Sequence, residues 1–501
     1  MGGIINTDIG TNYAERSYQR SLYLVYLKAV KDVLGAGAEV TLFNSLNRGL
    51  YTEIDSEEPA GVREIDRIKD RMRWYIDADL PIHCRVLEKE ALQSYLKKNR
   101  KSVESIELLS GAHGLHGVAV YEFEGYSNFF YGSLMESTGG LRLFDLVPYM
   151  DGLLLRYPHP SKPDRLQEMP GDYKLYASFR EGWTLAELCG LRFVGDLNRE
   201  IEQGHAGEII ALSERLHRAK TRVIAEKIND KQRRVVLIAG PSSSGKTTFA
   251  KRLIAQLAEI GPEPLYLGTD DYFINRADMH PGPDGKLDFE AVNAIDIELF
   301  NRNIMDMLEG KDADLPIFDF FEGKKVFGKR ITSLKEGQPV VIEGLHALNP
   351  LLSDKLPHRD IFKIYISPLT QLNLDDHNRI PTTDIRLIRR ILRDVRTRGN
   401  SPESTIKSWP NVRGGESIYV FPYCDGADMV FNSALLYELP VLKRHAEKPL
   451  KDIPADSPEA DDAARLLDFL SFYRETDAKE EAAIPGDSIL REFIGGGTLM
   501  D

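Results

Sequence analysis

Apolar residues recur at helical spacing between positions 18 and 33, where Leu22, Val25, Tyr26, Ala29, Val30 and Val33 share one face and Gly35 follows as a stop. Glu39-Val40-Thr41-Leu42-Phe43 then reads as a strand, and a charged amphipathic helix through Ile65, Ile68 and Met72 ends at Asp79-Leu80-Pro81-Ile82. Positions 160–175, rich in Pro, Lys and Asp, read as a solvated connection, and positions 209–225 as a long helix. Beyond it the period changes. Val235-Val236-Leu237-Ile238-Ala239 is a short apolar run, as in a buried parallel strand, and Leu265-Tyr266-Leu267-Gly268 and Pro339-Val340-Val341-Ile342-Glu343 are two more such runs. Phe249, Leu253 and Leu257 mark a helix between the first two. Phe362-Lys363-Ile364-Tyr365-Ile366-Ser367 reads as an alternating strand, Phe431-Asn432-Ser433-Ala434-Leu435 as the last strand region, and positions 437–445 as helical. Ala463, Leu466, Leu467, Phe469, Leu470 and Phe472 predict a further helix packed on this half of the chain, and the tail Ile494-Gly495-Gly496-Gly497-Thr498 is expected to be mobile.

Between the first buried strand and its helix stands Gly240-Pro241-Ser242-Ser243-Ser244-Gly245-Lys246-Thr247-Thr248, which fits the Walker A pattern. Its glycines let successive amide hydrogens turn toward an anion, and the helix start adds the positive end of its dipole. Lys246 supplies a point charge for the outer phosphates of ATP, and Thr247 a hydroxyl that can ligate Mg2+. Strand, loop and helix in this order predict an α/β, doubly wound parallel sheet, with ligands at the carboxyl ends of its strands.

Carboxylates stand at those ends. Asp270, after the second run, is placed to orient the acceptor hydroxyl or take its proton and to meet the metal. Glu343, after the third, fits a Walker B acid that holds Mg2+ directly or through water. Arg386, Arg389, Arg390 and Arg393 recur three or four apart after Asp384, so one helical face offers several guanidinium groups that can close over a triphosphate.

Composition narrows the setting. A chain of 501 residues holds two or three domains, and its net charge of −13 argues against general affinity for nucleic acid. Cys84, Cys189 and Cys424 are too few and too scattered for a disulfide framework or thiolate cluster. No apolar run reaches membrane-spanning length, and the first residues lack secretory or myristoylation character, so a soluble, cytoplasmic protein is expected. His113 and His116 have no third ligand nearby in sequence and are not taken as a zinc site.

Two resemblances follow from these motifs. Gly49-Leu50-Tyr51-Thr52-Glu53-Ile54, the Met72 helix ending in Asp-Leu-Pro-Ile, and Ser137-Thr138-Gly139-Gly140 with Phe144 resemble the second additional domain of threonyl-tRNA synthetases. The places of that domain's editing ligands hold Arg20, Leu24, Phe130 and Leu134, so the resemblance implies a shared fold without the hydrolytic chemistry. The Walker A segment, Thr269-Asp270-Asp271-Tyr272-Phe273, Pro316-Ile317-Phe318-Asp319-Phe320, Glu343-Gly344-Leu345-His346 and the run from Thr383 to Asp394 resemble the uridine kinase and phosphoribulokinase family. The two together are similar to bacterial two-domain uridine kinase-like proteins. The resemblance implies a catalytic role for Asp270, metal positions at Thr247 and Glu343, and phosphate contacts from the lid arginines Arg393 and Arg398. It further implies ribose contacts at Glu290 and Arg390 and a base-packing aromatic at Phe318; the histidine expected five residues after that aromatic is replaced by Gly323.

The expected organisation is an N-terminal tail at 1–17, the synthetase-like α+β domain at 18–175, a helical connection at 176–230, the P-loop kinase domain at 231–440, and C-terminal helices and tail at 441–501. The expected reaction is Mg2+-assisted phosphoryl transfer from ATP to the 5′-hydroxyl of a nucleoside, with Tyr272, Phe318, Phe320 and Phe321 favouring a flat base. Kinase of a sugar or sugar phosphate, and nucleotide-gated binding of tRNA, are the alternatives. A small-molecule acceptor is the expected partner, with no membrane, no nucleic acid, and a homo-oligomer left open.

Overall fold

Val235–Ala239 is buried at every position because it lies at the centre of a five-stranded sheet, where both faces and both edges are covered. The strand order is Met429–Asn432, Ile361–Ser367, Val235–Ala239, Val340–Glu343 and Leu265–Gly268, and all pairs are parallel. The chain leaves the central strand for one edge, returns beside it, and then builds the other side. The strand order therefore reverses about Val235–Ala239, and the crevice at its carboxyl end is the topological switch point where such sheets bind ligands. The computed structural model describes residues 13–46, 48–98, 117–159, 162–169, 171, 173–279 and 287–499. His113 and His116 lie outside them.

Packing of the Cα trace separates two compact units. One comprises 1–206, 370–384 and 439–476; the other comprises 207–369, 385–438 and 477–501 and holds the parallel sheet. The helix Ala206–Asp230, which leads into the central strand, thus lies almost wholly in the second unit. The helix Ala460–Ser471, expected on the kinase half, belongs instead to the first. Its Arg465 pairs there with Asp384 at 2.8 Å, and the Phe472 ring that follows it lies 4.5 Å from the Tyr131 ring. An apolar stripe shows that a helix is covered, not by what.

Within the first unit, Glu39–Leu46, Gly49–Asp55, Gly152–Arg156 and Asp145–Tyr149 form an antiparallel sheet, and His83–Leu87, Val118–Phe123 and Tyr126–Phe129 a second. The helices Tyr13–Leu34 and Val62–Asp77 bury Leu22, Val25, Tyr26, Ile65, Ile68 and Met72 in a core shared with these strands. Leu24, Phe130 and Leu134 lie in the same apolar core. Among the described residues no group of three or more His, Cys, Asp or Glu could hold a metal ion, and no helix is long and apolar enough to cross a membrane.

Two strand readings change in detail. Ile361–Ser367 does not alternate: only Lys363 is partly exposed, as in a parallel strand covered on both faces of its sheet. The last strand ends at Asn432, whose side chain accepts from Leu369 N at 2.8 Å and donates to Leu369 O at 2.7 Å, closing the ladder early.

Candidate active site

The loop from Gly240 to Gly245 joins the central strand to the helix Lys246–Ala258. At Gly240 a β-carbon would stand 2.0 Å from the Ile366 carbonyl oxygen, so only glycine lets the loop leave the sheet here. Ser243 holds a left-handed backbone, φ 58°, a strain that persists where the surroundings impose it and that clusters at ligand sites. The Ser243 and Ser244 hydroxyls are buried and make no hydrogen bond. Lys246 Nζ donates to the carbonyls of Gly240 at 3.0 Å and Pro241 at 3.2 Å, and burial lowers its pKa. A strained loop with unpaired hydroxyls at a helix N-terminus fits a bound polyphosphate.

Facing it are the acids. Thr247 Oγ1 donates to Glu343 Oε1 at 2.9 Å, and Tyr266 Oη donates to the same oxygen at 3.1 Å. Glu343 is half-buried and its pKa rises, chiefly through desolvation. Asp270 lies in the 3-10 turn Thr269–Tyr272 beyond the edge strand. Its carboxylate is open to water yet enclosed by surrounding protein, and that enclosure raises its pKa while Lys246, Arg398 and Arg393 pull it down. The upward pull is partial in a wet cleft and grows when ligands exclude the water. Thr247 is bonded to Glu343, and Asp270 is near enough for its charge to act on Glu343, so this corner offers one hydroxyl and two carboxylates. This suits Mg2+, which takes few protein ligands and completes its shell with phosphate and water.

The arginines divide into two groups. Arg386 and Arg389 are almost wholly buried and do not face a triphosphate, which corrects the single lid face read from their spacing. Arg386 donates to Ser242 O at 3.0 Å and pairs with Glu416; Arg389 donates to Ser243 O at 3.4 Å and Ser433 O at 3.0 Å and pairs with Glu438. They brace the loop through its carbonyls. Arg390, Arg393 and Arg398 converge instead on the buried Asp394, at 3.3, 3.3 and 3.6 Å, and Arg390 also donates to Ser242 Oγ at 2.8 Å. Helix Thr382–Arg393 followed by a π-helical turn at Asp394–Arg398 brings these three together.

On the acceptor side, Glu290 is half-buried and burial raises its pKa, while the Arg390 charge opposes the rise. Phe318 is buried within a group of rings, 5.6 Å from Phe273 and 5.2 Å from Phe320. Tyr272 is no base platform: it is fully buried, edge-on to Phe300 at 5.2 Å, with Asn303 donating to its hydroxyl at 3.2 Å. Phe321 is 90% exposed at the hairpin tip. Gly323 closes that hairpin at φ 69°, and a β-carbon there would stand 2.9–3.1 Å from Arg276 atoms, so a histidine has no room.

The profile of the phosphoribulokinase / uridine kinase family matches residues 235–437. A uridine kinase of Ligilactobacillus salivarius is 32% identical over 176 residues, which cover 35% of this chain and 73% of that protein. This chain belongs to the phosphoribulokinase / uridine kinase family. A uridine kinase of Borreliella burgdorferi is 28% identical over 221 residues, covering 43% of this chain and 96% of that protein. Uridine-cytidine kinase C of Dictyostelium discoideum is 27% identical over 173 residues, 34% of this chain and 32% of its own length. Among solved structures, a possible uridine kinase from Bacillus stearothermophilus aligns with a TM-score of 0.26 at 20% identity, covering 40% of this chain and 89% of that one.

Two residues near the loop Gly240–Gly245 were given no role of their own by the sequence. Glu416 accepts from Ser242 N at 2.7 Å, and Asp394 collects three arginines. Both act across long stretches of chain or as one acid among many bases, so spacing did not mark them. The C-terminal tail, expected to be mobile, is instead fastened to the kinase unit. Thr248 donates to Glu492 Oε2 at 2.9 Å, Arg396 donates to Glu492 O at 2.6 Å, and Thr498 N donates to Gly486 O at 2.9 Å.

Proposed function

We propose that this chain is a nucleoside kinase that transfers a phosphoryl group from ATP, with Mg2+, to the 5′-hydroxyl of its acceptor. The observation that carries the proposal is the Asp270 carboxylate, reachable by solvent and facing Lys246 and two arginines at the switch point of a parallel sheet. Residues 240–248 would hold the triphosphate, and Thr247, Glu343 and Asp270 the Mg2+, which neutralises charge on the transferred group. Asp270 would orient the acceptor hydroxyl and take its proton; enclosure raises its pKa and so strengthens it as a base, and the neighbouring cations oppose that rise. Arg393 and Arg398, held by Asp394, would bring positive charge to the phosphoryl oxygens. Glu290 and Arg390 would hold the ribose, with Phe318 against the base. The N-terminal unit is read as a synthetase-like fold without editing chemistry, which the apolar burial of Leu24, Phe130 and Leu134 supports. A cytoplasmic setting suits three free cysteines.

A sugar or sugar-phosphate acceptor is the second reading, favoured by the closed turn at Gly323, which leaves no base-reading imidazole on the hairpin. An acceptor panel with purified protein and ATP separates the two. Nucleoside 5′-monophosphate formation supports the proposal, whereas turnover of a sugar phosphate with none of any nucleoside overturns it.

A further inference from the structure

The segment after the Walker B strand carries a polar group that the proposed reaction does not use. His346, three residues beyond Glu343, is 2% exposed, and neither Nδ1 nor Nε2 has a hydrogen-bond partner. Leaving such a group unsatisfied costs about 1–3 kcal/mol, so an open imidazole in a packed interior calls for a reason. Its surroundings supply one. The backbone of Glu290 lies beside the ring without a hydrogen bond of ordinary geometry, and the Tyr419 ring stands edge-on at 5.6 Å. Glu290 is itself fixed from behind, since a β-carbon on Gly415 would approach its Cβ to 2.9 Å. Burial, with Lys246 opposing further positive charge, lowers the His346 pKa to about 4, so the ring is neutral near pH 7 and offers one donor and one acceptor.

We infer that His346 is an acceptor-binding residue that, beside Glu290, recognises adjacent hydroxyl groups on the acceptor's ring. The inference rests on the reading of this unit as a kinase with its acceptor at Glu290. A hydroxyl both donates and accepts, so two neighbouring ones can satisfy a carboxylate and a neutral imidazole together. An uncharged ring gives no electrostatic preference for an acceptor phosphate at this place. With Gly323 unable to carry a base-reading side chain, selectivity falls on the sugar ring: the base is read loosely and the loss of a ring hydroxyl is felt strongly.

Steady-state kinetics with uridine, 2′-deoxyuridine and 3′-deoxyuridine test this on the full chain, with His346→Leu and His346→Asn beside the wild type. The wild type is expected to lose about tenfold or more in kcat/KM on one deoxynucleoside. His346→Leu should raise KM for uridine about tenfold, leave KM for ATP within about twofold, and erase the penalty for that deoxynucleoside. His346→Asn, which retains a donor and an acceptor, should recover part of it and decides the matter if the leucine variant does not fold. Uridine KM and deoxynucleoside discrimination unchanged in a variant that keeps its ATP KM would overturn the role of His346 alone. A wild type that phosphorylates no nucleoside would overturn the nucleoside reading and the inference with it.

Discussion

Both units bury charge, and they close it off to different degrees. In the N-terminal unit Asp384 lies between Arg465 at 2.8 Å and Arg16 at 3.3 Å, one to each carboxylate oxygen. In the kinase unit polar atoms on and near the loop Gly240–Gly245 are left open: the hydroxyls of Ser243 and Ser244, one oxygen of Glu416 and both nitrogens of His346 have no partner. A closed cluster has no carboxylate oxygen left to offer, whereas an open one keeps polar atoms that a ligand can meet.

The sharpest way to break this comparison is to open the closed cluster. Asp384→Ala leaves two guanidinium groups without their carboxylate and should cost about 3–5 kcal/mol, read from urea unfolding followed by fluorescence. A loss below about 1 kcal/mol would mean that the cluster is structurally idle. In the kinase unit, Gly240→Ala forces a β-carbon onto the Ile366 carbonyl. It should cost about 1–3 kcal/mol and abolish the rise in melting temperature that ATP is expected to give the wild type. Retained stabilisation would show that the loop does not need its close approach to the sheet.

These two places also mark what the sequence could disclose. The order of strand, loop and helix around Gly240 and the acids at Asp270 and Glu343 were legible because each feature is local, written in consecutive residues with a known period. The matched family region and the observed parallel sheet agree with the strand, loop and helix order. The partners of Asp384, the bracing of Ser242 by Glu416 and the docking of the tail at Glu492 were not legible. Each joins residues far apart in the chain, and hydrophobic periodicity is blind to which surface a stripe meets. The arginine run misled for a related reason: Arg386 and Arg389 share their spacing with Arg390 and Arg393, but only burial tells a brace from a contact.

Acid distinguishes the units more gently. His217 in the kinase unit is buried, donates from Nε2 to Ala434 O at 3.0 Å, and has its pKa lowered from 6.5 to about 3, mainly by burial. Because the unfolded chain binds the proton more readily, its contribution is complete above pH 6.5 and is lost as pH falls toward 3. Burial would raise the Asp384 pKa, but Arg465 and Arg16 bring it from 3.8 to about 2, so the N-terminal cluster holds until pH falls below 3.8. Unfolding followed from pH 7 to 5 should therefore steepen in the wild type and flatten in His217→Gln; equal slopes would remove His217 as the cause. The smallest effect is expected at Phe321→Ser, on the exposed hairpin tip, which should change stability by no more than about 0.5 kcal/mol.

The central claim is that the open cluster of the kinase unit is a phosphoryl-transfer site worked by Asp270. The direct measurement is transfer from γ-labelled ATP to uridine and cytidine by the wild type and by Asp270→Asn, with ATP binding followed in parallel. The account predicts a loss of about 10²–10⁴-fold in transfer with ATP affinity nearly unchanged. Transfer at the wild-type rate by Asp270→Asn would contradict it.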